Sequence, residues 1–145
     1  MKTRRLHHAA QGGFTLIELL VVLAILGLLA GLVGPQIVRY FGTAKSETAK
    51  LQIQMLSQAL EMYRLDVGRY PNQAEGLRTL VVGPSGATRW NGPYLRGDLP
   101  NDPWDKPFIY RVPGTGGAVY EILSYGADGQ AGGTGEAADV ASSVR

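Results

Sequence analysis

The fold is decided by the stretch Phe14-Thr-Leu-Ile-Glu-Leu-Leu-Val-Val-Leu-Ala-Ile-Leu-Gly-Leu-Leu-Ala-Gly-Leu-Val-Gly-Pro-Gln-Ile-Val38. From Leu19 to Val38 no residue carries a formal charge. Such a run forms about 30 Å of helix, which matches the hydrocarbon core of a bilayer, because each residue adds about 1.5 Å. The sequence therefore predicts that residues 14–38 form a helix that can span a membrane.

A single carboxylate, Glu18, lies at the start of this apolar run. A charged side chain at the edge of a bilayer is costly and usually has a partner, so Glu18 is a candidate functional residue. It can also lie at the headgroup level and stay hydrated. If the chain is cut after Gly13, the new α-ammonium group at Phe14 lies one helical turn away, and a neighbouring copy offers the same amine. Packed helices would then be aligned by pairing carboxylate with amine.

Small residues recur at four-residue spacing in the apolar run, as Gly27 with Gly31 and Ala30 with Gly34. This spacing allows the backbones of two helices to approach closely in lipid, although glycine is also simply frequent in membrane helices. Pro35 lacks a backbone donor, and we expect it to kink or loosen the preceding turn.

The charge of the chain is unevenly distributed. The 145 residues carry a formal net charge of +2, but Lys2, Arg4 and Arg5 precede Gly13. Without them, 11 basic and 12 acidic residues remain, which is a net charge of −1. The basic balance therefore gives no indication of nucleic-acid binding. The basic residues Lys2, Arg4 and Arg5 before the apolar run favour a cytoplasmic N-terminus, with the remainder of the chain outside.

The composition also limits the chemistry. There is no cysteine, so neither disulfides nor thiol catalysis are available. The two histidines, His7 and His8, lie within residues 1–13, which removes the commonest general base from the rest of the chain. A membrane-tethered hydrolase would have to use paired carboxylates, of which the candidates are Asp102 with Asp105 and Asp128 with Asp139. The segment 102–105 is more typical of a turn, so we expect no enzyme.

Beyond Pro35 the apolar pattern becomes amphipathic, which predicts a second helical half over residues 39–67 that covers a soluble domain at 39–145. Gly68 is a natural stop. The expected core stripe consists of Ala44, Thr48, Leu51, Met55, Ala59 and Met62, widened by Leu56, Leu60 and Tyr63.

Shorter elements follow. Asn72 can cap a helix and Glu75 can bond back to it, which predicts a short helix over 73–82. Residues 83–106 are rich in turns, and their core anchors are expected to be Trp90, Tyr94, Leu95 and Trp104. Two runs at 107–112 and 118–125 predict a β-hairpin over 107–125. The glycine-rich loop 126–145 should be disordered if left to itself.

The run Gly13-Phe14-Thr15-Leu16-Ile17-Glu18 before an apolar helix resembles the class III signal of type IV pilins and type II secretion pseudopilins. The resemblance implies that residues 1–13 are a leader, that a prepilin peptidase cuts after Gly13, and that Phe14 becomes N-methylated. It also implies a role in assembly for Glu18, and marks Pro35 as the place where the helix melts in an assembled filament.

Later motifs sharpen the resemblance. They are Leu65-Asp66-x-Gly68-Arg69-Tyr70-Pro71, Glu75-Gly76-Leu77, Gly92-Pro93-Tyr94-Leu95, Leu99-Pro100-x-Asp102-Pro103-Trp104 and Ser124-Tyr125-Gly126-Ala127-Asp128-Gly129. In this order they resemble the major pseudopilin family of type II secretion systems. The implied fold is α+β and type IV pilin-like, with a long N-terminal helix whose first half spans the membrane, a small antiparallel sheet and a C-terminal calcium loop.

The resemblance implies a single structural Ca²⁺ in the loop, with Asp128 and Asp139 as carboxylate ligands. The backbone carbonyls of Tyr125 and Val140 are the expected further donors. Calcium takes six to eight oxygen ligands, which carboxylates and carbonyls of a flexible loop can supply. From the residues alone, an Asp-Gly turn with scattered acids is also compatible with a solvated loop.

The family resemblance implies a structural subunit of a periplasmic pseudopilus, held in the inner membrane by a single span before assembly. Its expected partners are further copies of the chain, minor pseudopilins, the prepilin peptidase, and an inner-membrane assembly platform with its ATPase. The chain itself has no phosphate-binding loop of the Gly-x-x-x-x-Gly-Lys type. The alternative is a type IV pilus subunit for adhesion or motility.

Overall fold

The computed structural model describes residues 13–144, without the side chains of positions 35, 38, 39, 143 and 144. Residues 1–12 of the predicted leader lie outside this range. The chain forms two compact units, residues 1–38 and residues 39–145.

One long helix, α1, runs from Leu16 to Val67 and contributes to both units. It ends where the sequence predicts, because Gly68 adopts a φ of 89° that other residues rarely tolerate. The Gly68 N–H donates to the carbonyl of Arg64 over 2.8 Å, which closes the last turn. The backbone of α1 remains helical through Pro35.

In residues 39–145, α1 buries one face against the rest of the unit. The buried side chains on this face recur at three- and four-residue steps: Ala49, Ile53, Leu56, Ala59, Leu60 and Tyr63. The predicted stripe of six residues was wrong except at Ala59, which is buried. The other five are exposed: Ala44, Thr48, Leu51, Met55 and Met62. The residues expected to widen the stripe, Leu56, Leu60 and Tyr63, are buried. Apolar residues lie on two sides of this helix, and helical periodicity alone does not tell which side meets the sheet.

The segment after α1 contains the predicted capping pair but a shorter helix. The Asn72 side chain accepts the Glu75 N–H over 2.9 Å, and the Glu75 carboxylate accepts the Asn72 N–H over 2.8 Å. The predicted helix over 73–82 is wrong, because only a 3-10 helix at Leu77–Leu80 forms. Gly76, with a φ of 60°, interrupts the helical path directly after the cap.

The sheet has three antiparallel strands in chain order. The predicted hairpin over 107–125 contains β1, Ile109–Arg111, and β2, Tyr120–Ser124. The third strand, β3 at Val140–Val144, pairs with β2 in the register Ser124 to Val140. The sequence predicted no strand within 126–145, because this segment has little hydrophobic content; β3 forms by backbone pairing with β2.

The core of residues 39–145 joins α1 to the sheet. Tyr120 and Ile122 of β2 are fully buried against the buried face of α1. The predicted anchors in 83–106 are half-buried against this core: Trp90, Tyr94, Leu95 and Trp104. Trp90 Nε1 donates to the carbonyl of Thr79 over 2.9 Å, whereas the buried Nε1 of Trp104 has no hydrogen-bond partner among the described residues. The predicted α+β fold, a long helix with a small antiparallel sheet, is confirmed.

Candidate functional site

The N-terminal end of the described chain is open to its surroundings. Gly13 and Phe14 precede α1 in an irregular, exposed segment, and the Phe14 side chain is 92% exposed. Within residues 13–144, one stretch, Leu16–Gly34, is long and apolar enough to cross a membrane, with a mean hydropathy of 2.8. None of this stretch is buried inside the chain. Its apolar surface is therefore available to lipid or to other helices.

Glu18 closes the N-terminus of α1 through a reciprocal pair with Thr15. One carboxylate oxygen, Oε2, accepts both the backbone N–H and the hydroxyl of Thr15 over 2.8 Å. The Thr15 hydroxyl in turn accepts the Glu18 N–H over 3.2 Å. This is a capping box, whose signature Thr-x-x-Glu was present in the sequence but was not used in predicting the role of Glu18. The second oxygen, Oε1, accepts no hydrogen bond from the described residues.

The glycines of the apolar helix, at positions 27, 31 and 34, are all exposed. A Cβ atom added at Gly27, Gly31 or Gly34 would meet no atom within 4 Å. The chain itself therefore does not need glycine at these positions for its own packing. A close approach by a second helix is one physical reason for such residues in a membrane helix.

The predicted calcium loop lies between β2 and β3, bounded by Tyr125 directly after β2 and by Val140 at the start of β3. Asp128 accepts the Gln130 N–H over 3.0 Å through Oδ1, and Asp139 accepts the Gly132 N–H over 2.9 Å through Oδ2. Each carboxylate thus holds the loop backbone with one oxygen. The other oxygen of each has no hydrogen-bond partner among residues 13–144.

The side chain of Tyr125 is held on the sheet and is not part of the loop interior. Its hydroxyl accepts a hydrogen bond from the Arg111 guanidinium, which also lies 5.9 Å from the centre of the Tyr125 ring. Arg111 in turn contacts Glu121 on the neighbouring strand at 3.5 Å. This fixed position leaves the backbone carbonyl as the part of Tyr125 that could serve the loop.

Asp102, considered above as half of a catalytic pair, is used to build a turn. It is 3% exposed, and its Oδ1 accepts the backbone N–H groups of Trp104 at 3.0 Å and Lys106 at 2.9 Å. Its Oδ2 accepts the hydroxyl of Ser124. Asp105 is exposed and its side chain joins no described hydrogen bond. The two carboxylates therefore do not act as a pair.

Lys106 makes the other link between this turn and the loop. Its Nζ donates to the carbonyl oxygens of Gly126 at 3.0 Å and Ala127 at 2.5 Å. The sequence does not point to Lys106, because a contact across 20 positions depends on how the strands pair and leaves no local signal.

Within the described part of residues 39–145, α1 carries a second apolar face whose side chains are more than half exposed. This outer face consists of Leu51, Met55, Met62 and Leu65, which are 53% to 72% exposed. Beside it runs a shallow groove whose other wall is formed by Pro93, Tyr94 and Leu95. A contiguous exposed apolar surface of this kind is typical of a protein contact site.

Comparison with known proteins gives two family matches. Residues 36–143 match the family described as type II secretion system protein G, and residues 8–34 match the prokaryotic N-terminal methylation motif. The two matches together cover the helix, the sheet and the loop.

Individual relatives agree with the family matches. The type II secretion system core protein G of Pseudomonas aeruginosa is 44% identical over 133 residues, which covers 90% of this chain and 93% of the relative. The same protein of Vibrio cholerae is 41% identical, with 90% of each chain covered. A crystal structure of the major pseudopilin of enterohaemorrhagic Escherichia coli superposes with a TM-score of 0.56 at 32% identity, covering 68% of this chain and 86% of that one.

Proposed function

Because the chain belongs to the family of type II secretion system protein G, we propose that it polymerises as a structural subunit into a periplasmic pseudopilus. The filament helps to export folded proteins across the outer membrane. The names of the relatives, all core proteins of the secretion system, favour this role over that of an adhesive or motility pilus.

The observation that carries the proposal is the apolar half of α1. Residues Leu16–Gly34 are long enough to span a bilayer and bury nothing against their own chain. Before assembly, lipid covers this surface; in a filament, copies of the same helix replace the lipid. Because lipid tails are as apolar as leucine, the preference for the filament comes from close packing and polar pairing and not from the hydrophobic effect alone.

Glu18 supplies the polar pairing. Its Oε2 is committed to Thr15 of the same chain, while Oε1 has no described partner. Cleavage after Gly13 by a prepilin peptidase would create an α-amine at Phe14, which would then be N-methylated. A carboxylate that caps its own helix with one oxygen can accept the amine of a neighbouring subunit with the other, which would set the register between helices.

The remaining partners are those that membership of this family implies. The sequence has no phosphate-binding loop of the Gly-x-x-x-x-Gly-Lys type, so the energy for filament growth comes from another component, to which the family resemblance assigns an inner-membrane assembly platform and its ATPase. Before assembly, the subunit is held in the inner membrane with residues 39–145 in the periplasm. Minor pseudopilins join the same filament. No catalytic role is assigned, since the Asp102 carboxylate already accepts hydrogen bonds from the Ser124 hydroxyl and two backbone amides.

The loop between β2 and β3 has the donor chemistry of a calcium site. No group of three or more acidic, histidine or cysteine side chains that could hold a metal occurs within residues 13–144. A cation there would therefore combine the free oxygens of Asp128 and Asp139 with backbone carbonyls, for which Tyr125 and Val140 are our candidates. An all-oxygen set of this kind suits Ca²⁺. When bound, the ion would supply positive charge that holds both carboxylates to the ends of the loop.

The maturation route is tested by the first residue of the protein extracted from membranes. A mass consistent with N-methyl-Phe14 is expected; an intact Met1 or a cut beyond Val38 would contradict the proposal. In a strain that lacks the chain, we expect secreted proteins to accumulate in the periplasm without loss of surface pili. Loss of pili with normal secretion would instead identify a motility or adhesion pilin.

The role of Glu18 is tested by separating its charge from its capping function. Glu18→Gln keeps an oxygen for the capping box but removes the charge, whereas Thr15→Ala keeps the charge and removes the cap. We expect Glu18→Gln to insert in the membrane but to assemble and secrete poorly, and Thr15→Ala to assemble. Glu47→Gln, on an exposed part of α1, is the matched control. Normal filaments from Glu18→Gln would refute the pairing of charges.

A further inference from the structure

The ammonium group of Lys106 attaches the C-terminal loop to the rest of the domain. Lys106 is half-buried, and its ammonium group points at two consecutive backbone carbonyls, those of Gly126 and Ala127. An ammonium group has three donors and no acceptor, so two carbonyl oxygens satisfy most of its hydrogen-bonding capacity. Gly129 completes this enclosure, because a Cβ there would lie 3.1 Å from the Lys106 Nζ.

The backbone of Lys106 is itself fixed by a buried carboxylate. The Asp102 N–H donates to the carbonyl of Lys106 over 2.7 Å, and the Lys106 N–H donates to the Asp102 carboxylate over 2.9 Å. The other oxygen of that carboxylate binds the Ser124 hydroxyl, whose oxygen accepts the N–H of Gly126 over 3.2 Å. Gly126 is therefore held through its N–H by Ser124 and through its carbonyl by Lys106.

The same point of attachment joins the two ends of the loop. Gly126 has a φ of 61°, and a Cβ there would lie 2.6 Å from the carbonyl oxygen of Glu136. The next residue, Ala127, donates its N–H to the same carbonyl over 2.8 Å. Asp128 follows directly in the chain. Its position is thus determined by the hydrogen bonds that Gly126 and Ala127 make with the rest of the chain.

We propose that Lys106 is a positioning residue for the loop, which holds residues 126–127 against the turn at Asp102 and thereby places Asp128 for calcium. The calcium part of this inference rests on the function proposed above. Groups that orient metal ligands typically change metal affinity by about 10- to 100-fold when they are removed. The carbonyls bound to Lys106, at Gly126 and Ala127, are not the ones assigned to calcium, so the ammonium and the ion use different atoms.

An opposite role for Lys106 makes an opposite prediction. A positive charge next to a cation site repels the ion, so a lysine that merely occupied the site would weaken calcium binding. Removing such a competitor would tighten binding, whereas removing a positioning residue weakens it. The sign of the change in affinity therefore separates the two roles.

The test uses the full-length protein in detergent and three variants. Lys106→Met keeps the apolar stem and removes the charge, and Lys106→Arg keeps a cation. Lys45→Met removes the same charge from an exposed position of α1 as the matched control. Calcium affinity is measured by titration calorimetry, and amide hydrogen exchange is measured peptide by peptide in the presence of a chelator.

We expect Lys106→Met to weaken calcium binding by about 10-fold or more and to accelerate exchange at residues 126–129 while β2 stays protected. Lys106→Arg should restore part of both properties, and Lys45→Met should match the wild type. Tighter calcium binding, unchanged exchange at 126–129, or equally faster exchange throughout β2 in Lys106→Met would each overturn the proposal. If the wild type binds no calcium, the calcium site fails, but exchange at 126–129 still decides the role of Lys106.

Discussion

Replacing Asp102 by alanine is expected to destabilise residues 39–145 by about 3–5 kcal/mol, because this side chain is a buried acceptor for three donors. The carboxylate is 3% exposed and binds the N–H groups of Trp104 and Lys106 and the hydroxyl of Ser124. An alanine at this position would leave all three donors without their acceptor.

The magnitude is the sum over the three lost hydrogen bonds. The bonds from the N–H groups of Trp104 and Lys106 should contribute about 1 kcal/mol each, which is about 2 kcal/mol together. The Ser124 side chain is 1% exposed, and an unsatisfied buried donor costs about 1–3 kcal/mol. The sum is a large part of the roughly 5–15 kcal/mol that stabilises a typical domain.

The assay is urea unfolding of the detergent-solubilised full-length chain, followed by the fluorescence of Trp90 and Trp104. Asp105→Asn is the control, because Asp105 is exposed with a φ of 61°, a conformation that asparagine also tolerates. We expect the control to change stability by less than about 0.5 kcal/mol. A loss of less than about 1 kcal/mol in Asp102→Ala would refute the view that this carboxylate organises the turn.

Three further perturbations address the loop and the acid stability of the domain. Asp128→Ala, Asp139→Ala or a chelator should lower the melting temperature and expose residues 126–139 to protease. The reason is that a ligand that binds only the folded state adds to the stability of that state. An unchanged melting temperature with chelator would exclude the metal. Gly126→Ala should destabilise the loop, because the new Cβ would lie 2.6 Å from a carbonyl oxygen at a φ of 61°; wild-type protease resistance would contradict this. The salt bridge from Arg69 lowers the pKa of Glu75 in the folded chain. The stabilisation from this pair is therefore present above the unfolded pKa of about 4.3 and is lost as the pH falls below that value. Glu75→Gln should flatten the acid limb of a pH–stability curve, and an unaltered limb would disprove the linkage.

Elements with local signals could be predicted from the sequence. The apolar run that begins at Phe14, the stop at Gly68 and the capping pair of Asn72 with Glu75 each depend on neighbours within a few positions. The capping box of Thr15 with Glu18 is equally local, since its Thr-x-x-Glu signature spans four residues.

Features that depend on long-range pairing could not be predicted. The strand β3 contains two serines and few large apolar side chains, so its sequence favours a loop, and only the free edge of β2 turns it into a strand. The bonds from Lys106 to Gly126 and Ala127 exist because the turn at 102–106 and the end of β2 come together in the fold. Neither contact leaves a periodic pattern in the chain.

The misplaced stripe on α1 has a physical cause that bears on function. At about 100° per residue, the outer face around Met55 and Met62 is rotated by about 130° from the buried face around Leu56 and Leu60, so the helix is apolar on two sides. A helix that served only its own domain would need one such side. In Leu16–Gly34, lipid can cover the exposed apolar surface, but the outer face lies outside this stretch. The outer face can instead be buried by the surface of another protein molecule. A filament of packed subunits provides such a contact.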